Sequence, residues 1–192
     1  PDEMKDIIEL ARRNDLWLIY DEIYSAFSYD APHTEIQSDY EQILILNGFS
    51  KSHGVPGWRV GYAVGPDLLI QQMMKVQQYS FVCAPSIAQW GVLAGMQHDF
   101  TSILEDYRAK RDMIYEGLSD VFEIEKPTGA FYIFPKVPSG TGSEFFEKCV
   151  KKNLLLVPGG VFSSRDTHVR ISFSTSREKL ERGIEVLRSL AR

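Results

Sequence analysis

The stretch "GFSKSHGVPGWRVG" (48–61) sets Lys51 and Arg59 eight residues apart in a glycine-rich backbone (Gly48, Gly54, Gly57, Gly61). A lysine amine can serve as nucleophile or base, and an arginine's planar cation can receive an anion. Upstream, Asp21 closes the apolar run "LWLIY", Tyr24 follows three residues on, and Lys51 stands five residues beyond "ILIL". Ligands of open parallel sheets collect outside the carboxyl ends of the strands. An acid, a phenol and an amine are therefore expected at one sheet edge. Singly, each has a plainer reading: a turn-forming aspartate, a packing tyrosine, a solvated lysine, an ion-paired arginine. Their conjunction outweighs these, because one ligand needs all four.

That ligand is pyridoxal 5'-phosphate. It needs an amine to hold its aldehyde as a Schiff base, and a carboxylate to keep its ring nitrogen protonated. It also needs a cation with hydroxyl or backbone donors for its phosphate, and a donor near its phenolic oxygen. Lys51, Asp21, Arg59 and Tyr24 match these needs in turn. Ser50 and Ser52 add hydroxyls, and the glycines allow tight turns and close backbone approach.

The elements that must position these groups are "LWLIYDE" (16–22) and "QILILNGF" (42–49). Both are almost wholly apolar, as expected of parallel strands buried on both faces. "RVGYAVG" (59–65) is a third, smaller strand, expected to be parallel as well. Helical patterns cover 66–78, 84–97 and 101–120, the last with Thr101 as its expected N-cap. The texture then changes: a strand at 129–137, a helix at 142–153, a strand and turn at 154–160. "HVRISFS" (168–174) alternates, placing His168, Arg170, Ser172 and Ser174 on a polar face and Val169, Ile171 and Phe173 on an apolar one. A closing amphipathic helix spans 176–192, with Ser176 as cap and Glu178 in its first turn. The reading is an α/β part over 1–100 and a smaller α+β part over 101–192.

Hydrophobic residues at 44% and charged residues at 24% are globular values. A net charge of −5 argues against nucleic acid or an anionic membrane as partner, since both require a basic face. Cys83 and Cys149 lack metal-type spacing and point to a reduced, cytoplasmic setting. His33, His53, His98 and His168 form no metal-ligand pattern, so no metal is expected. The opening "PDEMKDIIELARRND" begins directly on a helix signature, with Pro1, Asp2 and Glu3 in its first turn. The expectation is that an N-terminal part of a larger protein precedes it.

"GFSKSHGVPGWRVG" resembles the lysine-attachment signature of the class I and II, fold-type-I aminotransferases, and "DEIYSAF" (21–27) resembles the segment preceding it. "KPTGAFYIFPKV" and "PGGVFSSRDTHVRISFS" are similar to small-domain segments of that family. The resemblance covers nearly the whole chain but only the C-terminal portion of a family member. It implies the second half of the cofactor-binding large domain, a mainly parallel sheet with helices, followed by an α+β small domain. It implies that Lys51 holds the cofactor and shuttles the α-proton, Asp21 pairs with the ring nitrogen and Tyr24 donates to the phenolic oxygen. Arg59 binds the phosphate, and Arg170 grips the substrate α-carboxylate. Transamination between an α-amino acid and a 2-oxo acid is implied, of aspartate or aromatic type, by a homodimer.

Gly48 departs from the serine that often contacts phosphate three residues before the lysine, which leaves Ser50 as the candidate replacement. The same scaffold hosts carbon–sulfur β-lyases and the non-catalytic sensor domains of transcription regulators. The residues above are compatible with each.

Overall fold

The computed structural model describes residues 2–36 and 38–191. The chain forms two compact units, Pro1–Asp99 and Phe100–Arg192. Pro1, read above as part of the first helical turn, lies outside the described residues. Among the described residues no helix is long and apolar enough to cross a membrane.

The first unit opens with α1 (Asp2–Arg13), whose Ile8 and Ala11 are buried. The helix stops where Asp15 turns into left-handed backbone (φ 52°). β1 (Leu18–Asp21) and β2 (Ile43–Gly48) are parallel, in register from Leu18 opposite Ile43 to Asp21 opposite Leu46. β3 (Gly61–Val64) runs antiparallel to β2, from Ile45 opposite Val64 to Gly48 opposite Gly61. The three-parallel-strand expectation is thus corrected. A parallel return needs a crossover, usually helical, whereas 49–60 holds only one helical turn, Pro56–Trp58, and folds straight back.

That fold-back has a tight neck. A Cβ on Gly61 would lie 2.9 Å from the Asn47 carbonyl oxygen, and one on Gly48 3.1 Å from the Val60 oxygen. Both obstacles are backbone, so glycine is required at Gly61, and a side chain at Gly48 would force its neighbours apart by a few tenths of an ångström. Gly57 meets nothing within 4 Å and carries no such requirement.

Burial of β1 on both faces is also corrected. The strand alternates half-buried and exposed residues, and Ile19 keeps 64% of its surface accessible. β1 is an edge strand in the order β1-β2-β3, so coverage falls mainly on Ile43 and Leu44 of β2. Helices α2 (Asp67–Ser80) and α3 (Ser86–Gly95) complete the unit, with Ala88 and Val92 of α3 buried.

The second unit begins with α4 (Thr101–Leu118). Its N-cap is Phe100, with no side-chain cap, so Thr101 is the first helical residue rather than the cap. Then come β4 (Tyr132–Ile133), α5 (Gly142–Val150), β5 (Val157–Pro158), β6 (Val169–Ser172) and α6 (Arg177–Leu190). The sheet order is β4-β6-β5, antiparallel throughout.

The strands at 129–137 and 154–160 are shorter than their composition predicts. Ala130 is left-handed (φ 56°), while Pro135 and Pro158 have no N–H to give to a ladder. Single bonds continue the pairing instead, from the N–H of Val169 to the Pro135 oxygen and from that of Phe173 to the Phe131 oxygen, each 3.0 Å. Val169 and Ile171 of β6 and the following Phe173 are buried, as are Phe131 and Ile133, Ile114 and Leu118 of α4, Phe145 and Cys149 of α5, and Leu180 and Leu187 of α6.

The predicted cap of α6 is present: Ser176 Oγ accepts the Lys179 N–H. α5 carries a full capping box, Thr141 with Glu144, a Thr-x-x-Glu spacing visible in the sequence.

Candidate active site

Because β1 and β2 are parallel and in register, Asp21 and the chain leaving Gly48 emerge at the same end of the sheet. Asp21 ends β1 exposed, and its Oδ1 accepts the Ile23 N–H at 3.0 Å. This local bond turns the chain out of the strand. Tyr24 then caps the helical turn Ser25–Phe27, whose Phe27 is buried as an anchor. From β2, Asn47 Nδ2 donates to Ser25 Oγ at 3.4 Å, tying the two strand ends together.

The loop after β2 carries Lys51. Its ammonium sits 5.9 Å from the centre of the Tyr24 ring, within cation–π range. Lys51 is half-buried, and among the described residues no carboxylate pairs with it. Ser50 is half-buried beside it. Ser52 Oγ lies 2.8 Å from His53 Nδ1, and the His53 ring meets Phe49 edge-on at 5.3 Å.

Helix α3 supports this loop through missing side chains. A Cβ on Gly95 would come within 3.0 Å of the His53 ring, and one on Gly91 within 2.6 Å of the Trp58 ring. Neither helix glycine was singled out in the sequence, where a mid-helix glycine reads only as a weak spot. Arg59 is exposed, left-handed (φ 53°), and donates from Nη1 to the Pro56 oxygen at 2.8 Å. A non-glycine residue there stores backbone strain of about 1 kcal/mol. The structure thus brings Lys51 to Tyr24 and places Asp21 at the same sheet end, while Arg59 faces its own loop.

A second contact braces the Asp21 end. Glu22 Oε1 lies 2.9 Å from His33 Nε2, and His33 stacks on Tyr20 at 6.2 Å. Burial, and then the Glu22 carboxylate, push the Tyr20 hydroxyl above its ordinary pKa.

In the second unit Arg170 stands on β6 opposite Val157. Its neighbours His168 and Ser172 share its face, while Val169 and Ile171 are buried on the other, as the alternation predicts. The Arg170 Cζ lies 4.5 Å from the ring centres of both Tyr132 and Phe162. Sequence reasoning passed over these two rings. Tyr132 comes to the guanidinium through strand register, which sets that residue opposite Ser172, on the face Arg170 uses. Phe162 lies in the turn after β5. Among the described residues no acidic side chain pairs with Arg170.

The family model for aminotransferase class I and II matches residues 1–187. The chain is 36% identical to the probable aspartate aminotransferase of Methanocaldococcus jannaschii, over 97% of this chain and 53% of that protein. It superposes on the crystal structure of the aspartate aminotransferase of Thermotoga maritima with a TM-score of 0.89 at 30% identity, over 95% of this chain and 50% of that one. On the aromatic aminotransferase of Pyrococcus horikoshii OT3 the TM-score is 0.92 at 29% identity, over 98% of this chain and 54% of that one. The chain therefore spans about half the length of these relatives. Both structural relatives share its mixed α/β character, and aminotransferases of this class depend on pyridoxal 5'-phosphate. With a family match along nearly its whole length, the chain belongs to the class I and II aminotransferases.

Proposed function

We propose that the protein containing this chain is a pyridoxal-phosphate-dependent aminotransferase moving an amino group between an α-amino acid and a 2-oxo acid. The observation that carries this reading is the half-buried Lys51 amine, lacking a carboxylate partner among the described residues, beside Tyr24 at the sheet end where Asp21 emerges. The donor set suits the cofactor: one amine, one strand-end carboxylate, one phenol, and a hydroxyl and a guanidinium in the same loop.

When bound, the cofactor supplies an aldehyde that carries the amino group and a ring that takes up an electron pair. Lys51 would hold that aldehyde covalently until the incoming amino group displaces its amine, and the freed amine would then carry the proton away from the substrate α-carbon. Asp21 keeps the ring nitrogen protonated by a charge-assisted hydrogen bond, and Tyr24 donates to the phenolic oxygen. Ser50 and Arg59 hold the phosphate. For this Arg59 must turn from the Pro56 carbonyl, a bond its exposed side chain gives up at small cost. Arg170 receives the substrate α-carboxylate through its forked N–H donors.

Residues 1–100 then form the cofactor half of the site and 101–192 the small domain. Relatives named as aspartate and aromatic aminotransferases support an acidic or aromatic amino donor. A homodimer in the cytoplasm completes the reading.

The test is amino-group transfer by the complete, cofactor-loaded protein. It is incubated with L-aspartate or L-phenylalanine plus 2-oxoglutarate, and separately with cystathionine. Glutamate from the first mixtures is the expected result. Pyruvate and ammonia from cystathionine, without glutamate from the others, would assign a β-lyase instead.

A further inference from the structure

Arg170 lies on β6, the central strand of its sheet, and two aromatic rings reach it from either side. Tyr132 comes from β4, along one edge. Phe162 comes from the helical turn Gly159–Val161 that follows β5, along the other. Both ring centres are 4.5 Å from the guanidinium carbon.

The Phe162 ring is held in place although half of it is accessible. Its N–H donates to the Gly159 oxygen at 2.8 Å, and its edge meets the Phe134 ring at 6.3 Å. Phe134 in turn stacks on His168 at 5.1 Å with 13° between planes. Beneath the turn, Asp166 accepts the N–H groups of Ser143 and Gly160, each at 3.0 Å. The Ser143 hydroxyl, and after it these two N–H groups, hold the Asp166 carboxyl below its ordinary range.

Two aromatic faces steady a guanidinium by electrostatic attraction without consuming its five N–H donors, because a ring is no match for a carboxylate as acceptor. An arginine steadied by Asp or Glu would arrive at its substrate already neutralised. One steadied by rings arrives oriented and still fully charged. Such preorganisation strengthens binding, since fewer side-chain states are lost when the ligand docks.

We propose that Tyr132 and Phe162 are positioning residues that present the Arg170 guanidinium, oriented and unneutralised, to the carboxylate of the substrate. The proposal rests on the carboxylate role given to Arg170 above.

The test measures calorimetric affinity of the complete, cofactor-loaded protein for two carboxylates without an amino group, succinate and 3-phenylpropionate. 3-Phenyl-1-propanol serves as the uncharged control. Phe162→Leu keeps apolar bulk and removes the ring, Phe162→Tyr keeps the ring, and Tyr132→Leu repeats the test on the other side. Both leucine variants should weaken binding of whichever carboxylate the parent protein takes by roughly tenfold. Phe162→Tyr should stay within about twofold of the parent, affinity for the alcohol should change less than about twofold, and KM should rise more than kcat falls. Full affinity in both leucine variants, or an equal loss for the alcohol, overturns the positioning role and leaves packing alone. Arg170→Ala is the control on the reading beneath. If it leaves carboxylate affinity intact, the role of Arg170 itself fails. If it weakens affinity while the ring variants do not, only the present inference fails.

Discussion

The Lys51 ammonium sits 5.9 Å from the centre of the Tyr24 ring, although the two residues leave different strands. Their roles separate by substitution in the complete protein. Lys51→Ala should remove covalent attachment, so borohydride reduction and peptide mapping should find no pyridoxyl label, and turnover should fall by about 10²–10⁴ or more. Tyr24→Phe keeps the ring and loses the hydroxyl. The label should remain on Lys51, with turnover lowered by about 10–100-fold, the equivalent of one charge-assisted hydrogen bond. A label recovered on another lysine of the unsubstituted protein would contradict the assignment.

The neck beneath the Lys51 loop makes a second prediction. Gly61→Ala sets a Cβ 2.9 Å from the Asn47 carbonyl oxygen, and backbone at that distance has to move. It should cost about 1–3 kcal/mol, read as a lowered denaturation midpoint. Gly57→Ala, which meets nothing within 4 Å, should stay within about 0.5 kcal/mol. Equal effects of the two would show that the neck is not under the steric limit described.

The cysteines should differ sharply as thiols. Cys149 is fully buried in α5, and burial pushes its thiol up to about 11. Cys83 is exposed. At pH 8 a thiol-disulfide reagent should label Cys83 rapidly in the native protein and reach Cys149 only after denaturant is added. Rapid native labelling of Cys149 would mean that the core around Phe145 opens readily.

Acid should loosen the attachment of α6 to α4. Asp106 accepts from Lys110 and from Arg177, at 2.7 and 2.8 Å, and these bonds, Lys110 first, hold its carboxyl below the ordinary range. A depressed folded-state value contributes stability above the unfolded value of about 3.9 and loses it as pH falls through the folded one. The side chain is partly exposed, so solvent screening limits the contribution to about 0.5–1 kcal/mol. Asp106→Asn should lower the melting temperature at pH 7, and the difference from the parent protein should shrink as pH falls through the depressed folded-state value. A constant difference across that range would assign the effect to packing.

Much of this protein could be read from short-range pattern. The alternation of "HVRISFS" placed Val169, Ile171 and Phe173 inside and His168, Arg170 and Ser172 on the other face, which is where they lie. Ser176 caps α6, and apolar runs located β1 and β2, because caps and strand faces depend only on residues a few positions apart. The candidate residues Asp21, Tyr24, Lys51 and Arg59 were nameable from chemistry and spacing, whereas the contact of Lys51 with Tyr24 and the turn of Arg59 toward Pro56 were not.

Direction and approach were decided by the tertiary structure. β3 turned antiparallel because the segment before it is too short of helix to cross over, and Gly91 and Gly95 proved to be the clearance that lets Trp58 and His53 sit on α3. The rings beside Arg170 come from separate elements on either side of β6. Sequence spacing carries no term for such contacts. They exist only once strand register has set which distant residues share a face, and register is a property of the assembled sheet.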